Sequence, residues 1–272
     1  MLQGFLVLVI MSKKIAIIGG GNLGQSIALG LLSMGFPPKS LSMTRNRTEL
    51  LSKFKSKGVF VSNNNIEAVK KSDVVILAIK PYKLKEVLVQ IRTVLRNDQI
   101  LISVVSDYPI ERIQSHISSS PSIFRAMPNT ASSVNQSLTC IATINGTRDD
   151  AVEVKSIFDA LGTTIEINEQ LMDASTVLGA CGIAFVLRFV RAMIQGGIEI
   201  GFDVSTATDI ATQTVKGATE LLLQNSSHPE AEIDKVTTPK GCTIAGLNEM
   251  EHRGFSSALI KGIKTSYQNI SD

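Results

Sequence analysis

Three glycines at fixed spacing are the most informative chemical feature of this chain. Gly19, Gly21 and Gly24 follow the apolar run 15–18 and precede a helical pattern that ends at Gly35. A strand, a glycine turn and a helix start in this order form an anion site from backbone N–H groups and the helix dipole. The pattern predicts a dinucleotide site rather than a glycine turn that binds nothing. The predicted pyrophosphate contacts are Gly19, Gly21, Asn22, Leu23 and Gly24.

The residues after the second predicted strand indicate which dinucleotide is bound. An NAD site usually has an acidic residue there, about 20 residues beyond the glycines. This chain has Thr44, Arg45 and Arg47 instead. A guanidinium can bind a 2′-phosphate through charge-assisted hydrogen bonds, and a carboxylate would repel it. We therefore predict NADPH as cofactor and NADH as the weaker one, although both arginines could be solvated residues that begin the next helix.

Composition excludes several classes of partner. The 272 residues are 44% hydrophobic with a formal net charge of +3, and the basic residues are dispersed. We therefore expect no nucleic-acid partner and no membrane surface. Cys140, Cys181 and Cys242 form no Cys-x-x-Cys pair, which favours reduced thiols and a cytoplasmic location. The three histidines are far apart, and we expect no metal site.

The first ten residues are apolar and precede a second methionine, Met11. Ten residues are too few to span a bilayer, and the basic region and cleavage site of a signal peptide are missing. We interpret Met11 as the natural start, with a peripheral or disordered extension as the alternative.

Predicted strands and helices alternate along residues 11–168, and they must position the glycine motif. Amphipathic segments separate most of the apolar runs, which predicts a Rossmann-type, doubly wound, largely parallel sheet covered on both faces. The strand-like runs are 15–19, 41–44, 59–61, 73–79, 99–105, 122–126, 137–143 and 163–167.

Residues 169–272 are predicted to form a separate all-α domain. Residues 171–202 are one long apolar pattern, and charged residues such as Asp173 and Arg188 interrupt it, which argues against a membrane span. A helix that is apolar on most faces must be buried, and the rest of this domain is too small to cover it. The pattern therefore predicts burial against a second subunit. A further helix is predicted over 205–224.

Two more motifs carry polar residues at predicted turns. Residues 125–130 follow a strand, and from the residues alone a structural turn is favoured over a ligand contact. Residues 236–243 place hydroxyls and free N–H groups at a helix start, which suits either a carboxylate ligand or an ordinary capping loop. No nucleophile–base pair is evident, which is compatible with an enzyme whose cofactor carries the chemistry.

Taken together, these motifs resemble the pyrroline-5-carboxylate reductase family over about 260 residues from Lys14 onward. The resemblance rests on 18–24, 77–81, 125–130 and above all on 236–247. It implies a Rossmann domain, a helical dimerisation domain, and homodimers that can assemble into decamers.

The resemblance also implies a site. The family's substrate carboxylate is held by the positions that match Gly241, Cys242 and Thr243, and its nicotinamide pocket matches Ala78, Lys80, Pro81 and the strand end Ser103 to Ser106. Asn65 is placed beside the adenosine ribose, and Met127, Asn129 and Thr238 are added as substrate contacts.

The chain departs from the family at two places. Residues 178–185 lack the hydroxyl and the proline kink that the family has there. Lys240 replaces the first of two loop glycines and adds either a cation near the carboxylate site or a solvated lysine.

The predicted activity is the NADPH-dependent reduction of 1-pyrroline-5-carboxylate to L-proline, the last step of proline biosynthesis. Thr243 is the candidate catalytic residue, because its hydroxyl can contact the imine nitrogen; it orients or relays a proton rather than acting as an acid. The alternatives are another NADP-dependent reductase of the β-hydroxyacid dehydrogenase type and a non-catalytic NADP-sensing homologue. The former usually needs a lysine in the helical domain, and the long helix has none.

Overall fold

The computed structural model describes residues 13–271, so the interpretation of residues 1–10 lies outside it. A single eight-stranded sheet dominates the first part of the described chain. All eight predicted runs form strands, with bounds within a few residues of those expected. The strands are β1 (Ile15–Ile18), β2 (Leu41–Thr44), β3 (Phe60–Ser62), β4 (Val74–Leu77), β5 (Ile100–Ser103), β6 (Ser122–Met127), β7 (Ser137–Thr143) and β8 (Gly162–Glu166).

The strand order is β3-β2-β1-β4-β5-β6-β7-β8, and every pair is parallel except β6 with β7. The order reverses between β1 and β4, which is where ligands bind in doubly wound sheets. β4 is buried along its whole length between β1 and β5. The predicted central strand is thereby confirmed.

Helices cover both faces of this sheet, as predicted. Alternate residues of β1 belong to two different apolar clusters: Ile15 and Ile17 pack in one, and Ala16 and Ile18 in the other. This alternation follows from the two-residue period of a strand. The helices of this part are α1 (Asn22–Ser33), α2 (Ser52–Lys55), α3 (Asn65–Lys70), α4 (Pro81–Ile91), α5 (Ile110–Gln114), α6 (Arg148–Asp159) and α7 (Met172–Ser175).

The remainder of the described chain is helical. A π-helical turn, Thr176–Cys181, follows α7, and the predicted helix over 205–224 appears as α9. The chain divides into two compact units after Cys181, with residues from Ile270 onward joining the first. The helices after the division are α8 (Gly182–Glu199), α9 (Val204–Asn225), α10 (Pro229–Lys235), α11 (Cys242–His252) and α12 (Phe255–Ser271).

The second unit has very little core of its own. Between 182 and 269, the buried residues are Ile194, Ala207 and Ala211, which join α8 to α9. Large apolar side chains of α8, such as Leu187 at 62% exposure, face outward. By length and composition alone, the helical stretch Glu169–Glu199 could cross a membrane, and 11% of its most apolar window is buried.

Candidate functional site

The glycine turn joins β1 to α1 with the geometry that a pyrophosphate requires. Gly19 has φ +108°, a value that side-chain-bearing residues rarely adopt. A Cβ on Gly24 would collide with the Gly19 carbonyl, so the helix packs closely on the turn. A Cβ on Gly21 would meet nothing, so the protein's own packing does not require that glycine. The open space above Gly21 matches the close approach that its predicted role needs.

The helix start at this turn leaves its first backbone donors unused. Gly21 is the N-cap of α1 and offers no side chain to its N–H groups. The first helical hydrogen bond runs from Gln25 N to the Gly21 carbonyl, so the N–H groups of Asn22, Leu23 and Gly24 have no helical partner. A dinucleotide pyrophosphate fits these residues, because such donors and the helix dipole bind anions.

The end of β2 lies against this turn. The N–H groups of Gly19 and Gly20 both donate to the Thr44 carbonyl, at 3.2 and 2.7 Å. The Arg45 guanidinium donates through Nη1 to the Gly20 carbonyl at 2.7 Å. The structure therefore brings Thr44 and Arg45 to the glycine turn. Arg47 is exposed and makes no ion pair with the described residues.

Asn65 also lies at this end of the sheet. The Thr44 hydroxyl donates to Asn65 Oδ1 at 2.6 Å, and Asn65 Nδ2 donates to Gln90 Oε1 at 2.8 Å. The family resemblance placed Asn65 beside the adenosine ribose. Gln90 was not predicted, because nothing in the spacing of 65 and 90 indicates a contact between α3 and α4.

The residues predicted for the nicotinamide follow β4 and β5. Ala78 N donates to the Ile18 carbonyl at 2.8 Å, which places Ala78 beside Gly19. Lys80 is the exposed N-cap of α4, and Pro81 is its first residue. These three positions share the carboxyl edge of the sheet with the glycine turn.

The two serines predicted near the end of β5 differ in their availability. Ser103 is 1% exposed, and its hydroxyl accepts from Val105 N at 3.4 Å. Ser106 is half-buried beyond the strand end, and its hydroxyl has no hydrogen bond within residues 13–271. Ser106 is thus the more available of the two predicted contacts.

The residues at the end of β6 are engaged by the protein itself. Met127 packs with Ala142 and Met172. Asn129 is 7% exposed; its Nδ2 donates to the Gly179 carbonyl at 3.1 Å, and its Oδ1 accepts from Ala131 N at 3.0 Å. The motif at 125–130 was identified in the sequence, but the packing of Met127 and the hydrogen-bond partners of Asn129 were not predicted.

Arg125 is a buried charge that sequence reasoning left without a role. It is 3% exposed; its Nη2 lies 3.1 Å from Asp173 Oδ1 and its Nη1 lies 3.6 Å from Glu169 Oε1. The available signal was a charged residue inside an apolar strand, because a buried charge is almost always paired.

In the second unit, the loop before α11 makes a tight turn. Gly241 N donates to the Thr238 carbonyl at 2.9 Å, and a Cβ on Gly241 would lie 2.6 Å from Thr238 Oγ1. A side chain at 241 would therefore have to displace the Thr238 hydroxyl. Lys240, just before it, has φ +61° and is exposed.

Gly241 is the N-cap of α11 and supplies no side-chain cap. Cys242 is the exposed first residue, and Thr243 is the half-buried second residue. The Thr243 hydroxyl makes no hydrogen bond within residues 13–271. The loop therefore presents free N–H groups and a free hydroxyl, and Thr243 does not occupy the capping position.

Lys240→Gly is expected to stabilise the protein. A left-handed backbone costs a side-chain-bearing residue roughly 1–2 kcal/mol, and glycine avoids most of that cost. The melting temperature should rise in K240G. The control is Lys235→Gly at the exposed last residue of α10, which should lower the melting temperature because glycine is unfavourable in a helix. A lower melting temperature for K240G would show that the lysine side chain has a stabilising partner.

The fold and the glycine turn define a Rossmann-type, dinucleotide-binding protein. The chain is 42% identical to pyrroline-5-carboxylate reductase 2 of Dictyostelium discoideum, over 96% of this chain and 93% of that one. The chain belongs to the pyrroline-5-carboxylate reductase family.

Other comparisons agree. Pyrroline-5-carboxylate reductase 1 of the same organism is 46% identical over 93% of this chain, which spans 48% of that longer protein. Residues 169–272 match the family model for pyrroline-5-carboxylate reductase dimerisation, and residues 14–107 match the model for NADP oxidoreductase, coenzyme F420-dependent. The NADP-bound pyrroline carboxylate reductase of Plasmodium falciparum has the same fold, with a TM-score of 0.88 at 24% identity over 95% of this chain and 97% of that one.

Proposed function

We propose that this chain reduces 1-pyrroline-5-carboxylate to L-proline with NADPH. The observation that carries the proposal is the 42% identity with a pyrroline-5-carboxylate reductase along nearly the whole of both chains. The glycine turn, with arginines in place of an acid at the end of β2, supports NADPH as the cofactor.

The chemistry is the reduction of one C=N bond. The glycine turn and the two arginines would hold NADPH, which would supply a hydride for the imine carbon, while solvent would supply the proton for the imine nitrogen. We assign the substrate carboxylate to the free N–H groups at the start of α11, and the contact with the nitrogen to the Thr243 hydroxyl. A hydroxyl is a weak acid at neutral pH, so Thr243 orients the nitrogen or relays the proton through water.

The test is a turnover assay with NADPH and 1-pyrroline-5-carboxylate that follows the loss of NADPH absorbance and the formation of proline. We expect turnover with this substrate and none with β-hydroxyacids and NADP⁺. Turnover of β-hydroxyacids alone would identify the dehydrogenase alternative. NADPH binding without turnover of either substrate would identify the sensing homologue.

The C-terminal region matches a dimerisation model, and we propose a homodimer that can assemble further into a decamer in the cytoplasm. The outward apolar side chains of α8 support this assembly, because three buried residues are too few to stabilise a unit of this length. We assign the apolar surface to the partner subunit rather than to a membrane, and we expect no nucleic-acid partner.

A charge on the α8 surface should dissociate this assembly and lower its stability together, because subunit association and folding are then linked. The variant is Val186→Asp, and the control is Val152→Asp on α6. The two valines have the same size and exposures of 51% and 50%. Sedimentation and thermal unfolding should change for V186D only. A V186D protein that remains an oligomer with unchanged stability would contradict the assigned interface.

A further inference from the structure

Three alternate residues at the end of β6 face one segment of the chain. Arg125, Met127 and Asn129 are called the anchor residues, and the segment 169–181, which precedes α8, is called the junction segment. Because side chains alternate across an extended strand, Arg125 and Met127 share one face of the sheet, and Asn129 follows two residues after the strand ends. Each of them contacts the junction segment.

The first contact is electrostatic. The buried Arg125 guanidinium lies 3.1 Å from Asp173 and 3.6 Å from Glu169, and Glu169 Oε1 also accepts from Ile110 N at 2.7 Å. A buried ion pair requires well-placed partners, because an unpaired buried charge is costly. The start of the junction segment is therefore fixed on β6.

The second contact is apolar. Met127 packs with Met172, and half-buried Ala180 lies against the same cluster. This contact spans the junction segment from α7 to the π-helical turn.

The third contact holds the π-helical turn itself. Asn129 donates from Nδ2 to the carbonyl of Gly179 at 3.1 Å, within Thr176–Cys181. A π-helical turn departs from the regular α-helical hydrogen bonding, and such turns are frequent at functional sites. Asn129 therefore fixes the conformation of this turn at the carboxyl edge of the sheet.

Asn129 also links the π-helical turn, through a neighbouring short helical turn, to α1, the helix that follows the glycine turn. Its Oδ1 caps the short helical turn Thr130–Val134, and Asn135, just after that turn, donates from Nδ2 to the Gly30 carbonyl of α1 at 3.1 Å. Asn129 and Asn135, at the two ends of this short helical turn, thus connect the packing on α1 with the π-helical turn.

We propose that Asn129 is a positioning residue, which acts with Arg125 and Met127 to hold the junction segment in the geometry that hydride transfer needs. Both polar atoms of its amide are occupied inside the protein, and 7% of the residue is exposed. This role rests on the proposed reduction and differs from the direct substrate contact that the family resemblance suggested for Asn129. A contact residue would change substrate affinity without loosening the π-helical turn.

The test compares Asn129→Ser with Asn145→Ser in the full-length protein. Asn145 has the same kinds of bonds at the amino end of β6: Oδ1 accepts from Ile123 N at 3.0 Å and Nδ2 donates to the Pro121 carbonyl at 2.9 Å. Serine at 129 can still cap Ala131 N but is too short to replace the amide donor to Gly179.

We expect faster amide hydrogen exchange over 176–182 in N129S, and about a tenfold lower kcat, because small misplacements near a reaction centre cost up to roughly 100-fold. NADPH affinity should match the wild type. N145S should show neither faster exchange over 176–182 nor a lower kcat. If N129S does not fold, Asn129→Asp retains the Ala131 cap and is measured in the same way.

Two results would overturn the positioning role. One is unchanged exchange over 176–182 in the folded variant, whatever its activity. The other is a raised KM for the pyrroline substrate with kcat intact, which would indicate a direct contact. If the wild type itself does not reduce 1-pyrroline-5-carboxylate, the proposed function fails, while the exchange comparison still decides whether Asn129 holds the turn.

Discussion

Thr243→Val should lower kcat/KM for 1-pyrroline-5-carboxylate by roughly 10- to 150-fold, the equivalent of about 1.5–3 kcal/mol for a hydrogen bond to a charged group. The Thr243 hydroxyl makes no hydrogen bond within residues 13–271, and valine is nearly the same size. The loss should therefore report a contact with substrate. Steady-state kinetics and NADPH titration are the measurements, and NADPH affinity should hardly change.

The same variant should leave stability almost unchanged, because Gly241, not Thr243, is the N-cap of α11. Thr237→Val is the matched control in this loop, since the Thr237 hydroxyl donates to the Ile233 carbonyl at 2.8 Å. T237V should lower the melting temperature and retain kcat/KM. Equal kinetic losses in both variants would assign the effect to loop geometry instead of the Thr243 hydroxyl.

Replacing both Arg45 and Arg47 by alanine should weaken NADPH binding by about 1.5–3 kcal/mol, the range for a hydrogen bond to a charged group such as a phosphate. NADH binding should lose less, because NADH lacks the 2′-phosphate and is affected only through the bond from Arg45 to the glycine turn. Separate titrations of the two cofactors measure the difference, and Lys39→Ala, which removes an exposed charge ahead of β2, controls for net charge.

The two single variants should differ in an informative way. Arg47 is exposed and has no ion pair within residues 13–271, so R47A should affect NADPH alone. Arg45 is bonded to the Gly20 carbonyl, so R45A should also disturb the glycine turn and cost NADH some affinity. Equal losses for both cofactors in R47A would refute recognition of the 2′-phosphate by Arg47.

Much of the first unit could be predicted because its signals are local. Eight apolar runs at strand length, separated by amphipathic segments, determine a doubly wound sheet, since parallel strands need crossover helices. The antiparallel pairing of β6 with β7 was not evident from the sequence. The relative direction of two strands depends on the path of the segment that connects them and not on the composition of either strand.

The candidate site likewise has some features that the sequence predicts and others that only the structure shows. The geometry of the glycine motif can be predicted from sequence, because the φ angle of Gly19, the start of α1 and the close packing at Gly24 depend on residues that are neighbours in the chain. The bridge from Thr44 through Asn65 to Gln90 depends on contacts between elements that are far apart in the chain. Such contacts have no fixed spacing that a single sequence can reveal.

The sequence by itself determined the sheet, the dinucleotide turn, the helical C-terminal region and the family. Only the tertiary structure decided what Arg125 and Asn129 do, because their partners at 169, 173 and 179 lie about fifty residues away. It also decided that Thr243 is free while Ser103 is buried and bonded. A residue type states which bonds a side chain can make, and only the folded chain determines which of them the protein has already used.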